Sequence, residues 1–448
     1  MTEPRVIPRA EHSLSRRDID PDALKVLYRL RQGDHIAFLV GGSVRDLLLG
    51  RRPKDFDIGT SAHPYQVKKL FRNCWIIGRR FRLAHVKFGP KVIEVATFRR
   101  QVQPGEEIAQ DGVPAHVPRA DGASPPATRA LPSATGTADE HLMHRDNTFG
   151  TPEEDAFRRD FTINALFYDI ATFSVIDYAG GVDDLRAGVV RCIGDPGVRF
   201  QEDPVRMLRA IALAARLDFT IDPPILDAIR VHRHEIARAS PARLLEEYYK
   251  ILRTGSAEKV FRGLAEAGLL EPISAELHEG ATEPLFRSLA NIDAYRARFE
   301  ATPDTFTNAI LLGTLLAPIG LAPQLGRPPQ PVEDENGRRR RPAGPRLGEL
   351  PLARRDVERL RHLLSLQRRL REISASPRAK RALVHRSIFP EALTWLDVHG
   401  DSRELVDHWK AVKTESATPV DGEEPAAEGP PQGRRRRRRR RFRPAPGQ

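Results

Sequence analysis

Apolar residues change their spacing along the first hundred positions, and each spacing predicts a different element. Leu24, Leu27 and Leu30 repeat with the period of a helix, so residues 21–30 are predicted to be helical. A second helix, with a proline in its first turn, is predicted over residues 64–71. β-rich runs predict five short strands, at residues 35–40, 56–60, 75–78, 84–88 and 92–98.

The pattern after residue 145 moves from mixed to helical. Residues 161–166 are predicted to be helical, 167–170 and 174–178 to form a hairpin, and 189–193 to form a strand. From about residue 202 the apolar spacing is helical almost throughout. The predicted fold class is therefore α/β (α+β), with a small mixed sheet in the front half and an all-α body behind it.

Three stretches break these patterns. Residues 101–145 are rich in Pro, Ala, Gly, Ser and Thr without an apolar period, which predicts a disordered insertion. Residues 327–348 contain an arginine run and are predicted to form a loop. The predicted divisions are an arm at 1–20, an α/β domain at 21–195, a helical domain at 196–270, a helical body at 271–412 and a disordered arginine-rich tail at 413–448.

The composition excludes several classes of protein. The chain has 448 residues, 40% of them hydrophobic, and no apolar run is long enough to cross a bilayer. The N-terminus lacks the apolar segment of a signal peptide. Only Cys74 and Cys192 occur, which excludes a disulfide framework and a zinc site built mainly from cysteines. Both are predicted to be packing residues, and this usage suits a reducing cytoplasm.

Positive charge is concentrated in the tail. Nine arginines, Arg434–Arg441 and Arg443, account for most of the formal net charge of +12. Such a tail suits phosphate backbones, with an affinity that is salt-sensitive and independent of sequence. We expect the segment Arg434–Arg443 to contact RNA phosphates. A solubilising tail that binds anionic surfaces nonspecifically is the alternative.

Candidate chemistry begins where a predicted strand runs into Gly41 and Gly42 and then into a helix, which Ser43 is positioned to cap. Because glycine has no side chain, the backbone N–H groups at this helix start can approach a phosphate closely. Arg45 adds a fixed positive charge and a forked donor. A simple turn beside a solvated Arg45–Asp46 pair is the structural alternative.

Two aspartates, Asp55 and Asp57, flank Phe56. In a strand, residues i and i+2 face the same way, so both carboxylates are predicted to meet while Phe56 packs into the core. Converging carboxylates repel unless a cation lies between them, and Mg²⁺ prefers oxygen ligands that it shares with substrate phosphates. The pair therefore predicts a metal site, and an aspartate-rich turn is the alternative.

A third carboxylate is needed to complete a two-metal site or to accept the proton of an attacking hydroxyl. The segment Arg158-Arg-Asp-Phe-Thr-Ile-Asn164 offers Asp160 for this role. Arg159 in the same segment is positioned to bind a triphosphate. The alternative is a helix start that Asp160 caps, with both arginines on the surface.

Asp203, Arg206 and Arg209 recur every three residues and so share roughly one face of a predicted helix. A carboxylate that accepts from an amino group, beside a guanidinium that donates to a ring nitrogen, matches adenine and cytosine. Guanine and uracil present the reverse pattern and leave a buried charge unpaired. The segment thus predicts selection of A and C without a nucleic-acid template. An i,i+3 salt bridge on an ordinary amphipathic helix is the alternative.

These four segments, in this order, resemble the class II nucleotidyltransferases, which comprise the tRNA CCA-adding enzymes and the bacterial poly(A) polymerases. The matching core covers residues 6–270. The resemblance implies that Asp55 and Asp57 are metal ligands and that Asp160 is the third carboxylate. It also implies a set of nucleotide-binding residues, namely Gly42, Arg45, Arg159, Arg206 and Arg209.

Further stretches resemble the bacterial poly(A) polymerases in particular. They are Val6-Ile-Pro-Arg, Leu70-Phe-Arg-Asn-Cys74, Gly78-Arg-Arg-Phe-Arg-Leu-Ala-His-Val86, Phe88-Gly-Pro, Ile93-Glu-Val-Ala-Thr-Phe-Arg99 and Arg145-Asp-Asn147. The arginine-rich tail also fits this branch. The insertion at 101–145 and the loose match beyond about residue 290 depart from the family pattern without touching the catalytic residues.

The resemblance implies a template-independent polynucleotide adenylyltransferase, which carries out poly(A) tailing that promotes RNA decay. The RNA 3′-hydroxyl attacks the α-phosphate of ATP, two Mg²⁺ ions stabilise the charge, and pyrophosphate leaves. A tRNA nucleotidyltransferase that adds all or part of CCA is one alternative, because Asp203 and Arg206 accept both A and C. An inactive RNA-binding protein is an alternative of another class, and the intact carboxylate set argues against it.

Overall fold

The computed structural model describes residues 3–78, 82–100, 148–322, 332–333, 339–340, 344–400 and 402–417. The predicted insertion at 101–145, most of the predicted loop at 327–348 and residues 418–448 of the predicted tail lie outside the described residues. The first residues of that tail, 413–417, belong instead to the helix Arg403–Ala417. Within them, a mixed α/β front half is followed by helices, which confirms the predicted fold class.

Eight of the described strands form one mixed sheet. They are β1 (Arg5–Ile7), β2 (Ala37–Val40), β3 (Ile58–Thr60), β4 (Cys74–Ile77), β5 (Leu83–Phe88), β6 (Lys91–Thr97), β9 (Leu166–Asp169) and β10 (Ser174–Asp177), while β7 (Arg99–Arg100) pairs with β8 (Thr148–Phe149) outside it. The strand order is β1-β10-β9-β2-β3-β6-β5-β4. β3 and β6 run parallel, and the other neighbours in this sheet are antiparallel.

The alternation of side chains gives this sheet two different faces. On β5, Ala84 and Val86 are buried, whereas His85 and Lys87 belong to the opposite face. The buried face joins the main hydrophobic core together with the apolar sides of α1 (Pro21–Gln32) and α3 (Pro64–Leu70). On the opposite face, a smaller apolar cluster covers the middle of the sheet and leaves the β4 edge open; it includes Phe38, Val40, Phe98, Ala165 and Phe167.

The remaining helices bury apolar stripes against one another and extend the same core. In the front half they are α2 (Gly42–Leu48), Pro152–Phe157 and Gly181–Ala187. Behind it come Pro196–Glu202, Val205–Leu217, Pro223–His232, Pro241–Arg253, Ala257–Glu266, Ala275–Glu279, Glu283–Arg296, Asn308–Leu316, Arg354–Leu370, Pro377–Val384, Phe389–His399 and Arg403–Ala417. None of the helices that the structure describes is long and apolar enough to span a bilayer.

Several elements differ from the sequence-based expectation because strand pairing depends on distant partners. Part of the predicted arm, Arg5–Ile7, pairs with β10 as an outer strand. The strand predicted at 189–193 is only Val189–Val190, which pairs in parallel with Thr220–Ile221 outside the sheet. The helix predicted at 161–166 is a single 3-10 turn at Thr162–Asn164.

The two cysteines behave as predicted. Cys74 and Cys192 are both buried free thiols. Burial raises the pKa of each thiol, to about 11 for Cys192. Neither is therefore a reactive thiolate near neutral pH.

Candidate active site

A cavity of about 610 Å³ lies between the ends of β2 and β3, where Gly41 and Asp57 line it, and the helices Val205–Leu217 and Pro241–Arg253. All the predicted site residues except Asp55 line it: Gly41, Gly42, Arg45, Asp57, Arg159, Asp160, Asp203, Arg206 and Arg209. These residues come from segments far apart in the sequence, so the fold brings the predicted motifs together. Further residues of its lining that the sequence did not single out are Asn164, Arg216, Arg243, Glu247 and Lys250.

Position 41 requires glycine because another side chain approaches its backbone closely. Gly41 has a positive φ of 71°, and a Cβ atom there would lie 2.7 Å from Nη1 of Arg159. Glycine therefore lets the Arg159 guanidinium reach the start of α2. Ser43 was predicted to cap this helix, but its hydroxyl donates to the Val40 carbonyl and the capping position is Gly41.

Arg45 is buried at the first turns of α2 and is held by two partners. Its Nε and Nη2 atoms donate to Asp46 Oδ1 at 2.8 and 2.7 Å. Its Nη1 atom donates to the side-chain oxygen of Asn164. The predicted Arg45–Asp46 pair thus exists, but it is a buried wall of the cavity rather than a solvated surface pair.

Asp155 organises the two arginines that follow it in the chain. It accepts from Nε of Arg158 at 3.1 Å and from Nη2 of Arg159 at 2.9 Å. Burial acts to raise the pKa of Asp155, but the adjacent guanidinium groups outweigh this effect and lower it. Arg159 also donates to the Asn164 carbonyl at 3.0 Å, so its guanidinium is fixed at the cavity wall.

The two aspartates precede β3 rather than lying within it, because the strand begins at Ile58. Asp57 is accessible from the cavity, yet the surrounding protein still desolvates its carboxylate. This desolvation and the negative charges of Glu94 and Asp55 raise the pKa of Asp57 to about 6, while Arg159 acts to lower it. Of the two negative charges, that of Glu94 has the larger effect on the pKa of Asp57. It belongs to β6, two strands from the sheet edge.

The acidic set fits a divalent cation by its chemistry. The negative charges of Asp55 and Glu94 raise the cost of ionising Asp57, and a positive ion with oxygen ligands relieves this cost. Within the described ranges, no group of three metal-binding side chains is already drawn together into a ligand cluster.

Asp160 has a different environment from Asp57. Its Oδ2 atom accepts from Nη2 and Nε of Arg209 at 2.6 and 2.8 Å, and its Oδ1 atom accepts from the Phe161 N–H and the Asn164 amide. Burial alone would raise its pKa, but these partners hold the pKa of Asp160 at about 2. The carboxylate that was predicted as the third acid thus forms an ion pair with Arg209.

Asp203 and Arg206, which were predicted to select the base, each have a partner, but they do not pair with each other. Asp203 accepts a two-pronged contact from Arg243, with distances of 2.9 and 2.6 Å. Arg206 donates from Nη1 to Glu202 and to the Arg199 carbonyl, both at 2.9 Å. The i,i+3 salt bridge considered as an alternative is therefore not formed. Both side chains face the cavity.

Some of these residues had a detectable sequence signal and others did not. Asp155 precedes Arg158 and Arg159 at helical ion-pair spacing. Glu94 lies between the buried residues Ile93 and Val95, on the opposite side of an alternating β-rich run. Arg243 lies 40 residues beyond Asp203, and only the packing of two helices brings them together.

Much of the chain is similar to known proteins. Three family models match the chain: the Poly A polymerase head domain at residues 37–191, the probable RNA and SrmB-binding site of polymerase A at 218–280, and the polymerase A arginine-rich C-terminus at 345–444. Poly(A) polymerase I of Salmonella typhi is 48% identical over 268 residues, which are 60% of this chain and 53% of that protein. The CCA-adding enzyme of Lactobacillus helveticus is 32% identical over 256 residues, which are 57% and 56%.

The chain thus spans about half the length of the curated relatives that it matches. A crystal structure of the Bacillus stearothermophilus CCA-adding enzyme in complex with CTP shares the fold, with a TM-score of 0.57, 24% identity, and coverage of 89% of this chain and 82% of that one. This chain therefore carries a Poly A polymerase head domain, followed by segments that match the RNA-binding site and the arginine-rich C-terminus of polymerase A.

Proposed function

We propose that this protein is a template-independent polynucleotide adenylyltransferase that transfers AMP from ATP to RNA 3′ ends. The observation that carries the proposal is the single cavity at which Asp57, Arg159, Arg206 and Arg209 meet. It combines acidic groups for a cation, guanidinium groups for phosphates and a polar pair for a base. The 48% identity to poly(A) polymerase I of Salmonella typhi supports the same activity.

In this proposal, Asp55, Asp57 and Glu94 hold Mg²⁺ ions. When bound, Mg²⁺ supplies positive charge that stabilises the phosphoryl-transfer transition state. Glu94 takes the place that the sequence assigned to Asp160, because the parallel pairing of Ile58 with Val95 brings Glu94 toward Asp57, whose carboxylate its charge affects. Asp160 becomes a positioning residue that holds Arg209 toward the cavity.

The guanidinium groups of Arg159 and Arg209 face the space for the triphosphate. Buried acids hold each of them, Asp155 in one case and Asp160 in the other, so little side-chain entropy is lost when phosphate binds. The RNA 3′-hydroxyl attacks the α-phosphate, and pyrophosphate leaves.

Base selection falls to Arg206 and Asp203. Adding C and then A at one site requires the base pocket to change shape between additions. The two-pronged Arg243–Asp203 contact joins the helix Pro241–Arg253 to the segment just before the helix Val205–Leu217 and opposes such a change. This contact favours repeated addition of one nucleotide over the CCA alternative.

RNA is the proposed partner, and ATP the nucleotide substrate. The match of residues 218–280 to a probable RNA-binding site supports the first assignment. We propose that the tail Arg434–Arg443 adds sequence-independent affinity for RNA, and that the protein works in the cytoplasm, where its two free thiols stay reduced.

One assay tests the activity. The protein is incubated with Mg²⁺ and each nucleotide separately, with a tRNA that lacks CCA and with a generic RNA that has a free 3′ end. Long A tails on both RNAs are expected. Addition of C followed by a stop after one A would refute the proposal in favour of the CCA alternative.

A matched pair of variants tests the site. Asp57→Ala is expected to abolish incorporation and to keep the fold. Asp227→Ala, which removes an exposed carboxylate paired with Arg230 on a distant helix, is expected to leave incorporation unchanged. Substantial activity in Asp57→Ala would contradict the metal role of Asp57.

A further inference from the structure

The edge of the sheet beyond the acidic residues carries an exposed aromatic surface. On β4, Trp75 is 54% and Ile77 is 50% exposed, and the two side chains share one face of the strand. The other tryptophans, Trp395 and Trp409, are only 8% and 1% exposed. The buried side of this sheet edge packs through Cys74, so the core does not depend on the Trp75 ring.

This surface is continuous with the proposed active site. In the strand register, Trp75 lies opposite His85, and His85 lies opposite Glu94. The row crosses two strand spacings, which is about 10 Å. The His85 ring already contacts Glu94, with 3.6 Å between Nε2 and Oε1. Glu94 in turn acts on the carboxylate of Asp57. The row from Trp75 to Glu94 thus leads toward Asp57, which lines the cavity.

The charge of this surface suits a polyanion. Lys87 lies on the same face of β5 as His85, is exposed, and makes no ion pair with any residue that the structure describes. An exposed cation beside aromatic rings is the arrangement with which proteins bind single-stranded nucleic acid: the rings stack on bases, and the cation meets the backbone.

We propose that Trp75, His85 and Lys87 bind the last nucleotides of the RNA strand that is being extended, by stacking on its bases and by contacting its phosphates. We name this set the primer platform. The inference rests on the proposed function, because it takes the RNA 3′ end to be the substrate. The platform guides that end across β5 toward Glu94 and Asp57, on the side of the acidic groups away from the nucleotide-binding arginines.

Kinetics with a short oligo(A) primer test the platform. Trp75→Ala is expected to raise KM for the primer by about 5-fold to 100-fold, the effect of losing one stacked base. Trp75→Phe keeps a ring and is expected to stay close to the wild type. Both variants should keep the KM for ATP and the kcat at saturating primer, because Trp75 touches neither ATP nor the reacting atoms. Val231→Ala, at a 74% exposed position on a distant helix, is the matched control.

Fluorescence gives a second readout that needs no variant. Since only Trp75 among the three tryptophans is well exposed, acrylamide quenches mainly its emission. Adding oligo(A) without ATP is expected to protect Trp75 from acrylamide. Lys87→Glu is expected to weaken this protection, because it places a negative charge beside the phosphates.

The outcomes separate the two proposals. If the wild type extends RNA but Trp75→Ala keeps the primer KM and oligo(A) leaves acrylamide quenching unchanged, the platform is wrong and the proposed function stands. If the wild type extends no RNA, the proposed function itself fails. Light scattering covers the remaining case. A wild-type dimer that Trp75→Ala converts to a monomer would assign this face to self-association and would overturn the platform.

Discussion

Replacing Arg209 by methionine tests whether Asp160 belongs to a buried ion pair or to the metal site. Asp160 is 9% exposed, and its pKa is about 2 in the folded protein, against an ordinary value of 3.8. This difference corresponds to about 2 kcal/mol of stability at neutral pH. Because folding lowers this pKa, the stabilisation is present above about pH 4 and is lost as the pH falls toward 2.

The Arg209→Met variant reverses the sign of this contribution. Without the guanidinium, burial dominates and raises the pKa of Asp160, so the ionised carboxylate destabilises the fold at neutral pH. We expect the free energy of unfolding to fall by about 3–5 kcal/mol at pH 7, the cost of leaving a buried charge unpaired. The loss should be smaller at pH 3, where the carboxylate is protonated. Urea unfolding at both pH values measures it.

Two controls make this test specific. Arg230→Met removes the exposed partner of Asp227 and should cost less than about 1 kcal/mol at either pH. Adding Asp160→Asn to Arg209→Met removes the unpaired charge and should recover part of the loss. A loss at pH 7 no larger than that of Arg230→Met, or one that grows as the pH falls, would refute the assignment.

Three further predictions concern the reaction. Glu94→Gln should raise the Mg²⁺ concentration needed for half-maximal activity at least about tenfold, because it weakens a metal site. Asp160→Asn should leave this concentration unchanged. Equal effects of the two variants in a Mg²⁺ titration would contradict the roles given to these acids. Arg243→Met releases Asp203 and should let CTP compete with ATP. The ratio of kcat/KM for ATP to that for CTP should fall by about tenfold, which corresponds to about 1.4 kcal/mol. An unchanged ratio would show that the Arg243–Asp203 pair has no part in base selection. In divalent-free buffer, Asp57→Asn should raise the melting temperature above about pH 6 but not below pH 4. The reason is that the raised pKa of Asp57 makes its ionisation unfavourable in the folded state. Scanning fluorimetry measures the melting temperature at each pH.

The proposed site is built from charges that the protein holds in pairs. Arg45 is held by Asp46, Arg159 by Asp155, Arg209 by Asp160 and Asp203 by Arg243. Asp57 departs from this arrangement, since negative charges dominate its surroundings. The cavity is therefore prepared for a cation at one end and for an anionic substrate along its wall.

Local sequence alone determined the elements whose signals are local. The helix at Pro21–Gln32 follows from the apolar period and from the Asp20 cap, which accepts from two backbone N–H groups. The hairpin of β9 and β10 joins neighbouring runs by a short turn, so no distant partner is needed. The motifs around Gly41, Asp57, Asp160 and Asp203 named nine residues that line one cavity.

Tertiary structure decided which charges meet. The sequence singled out Asp160 as the third carboxylate and did not single out Glu94, although both acids lie next to apolar residues. Only the packing of Val205–Leu217 against the sheet brings Arg209 onto Asp160, and only the parallel pairing of β3 with β6 brings Glu94 toward Asp57. The same holds for Arg243 and Asp203 and for the row from Trp75 to Glu94. Coulomb interactions depend on the distance between charges in space, and the separation of two residues along the chain does not give that distance.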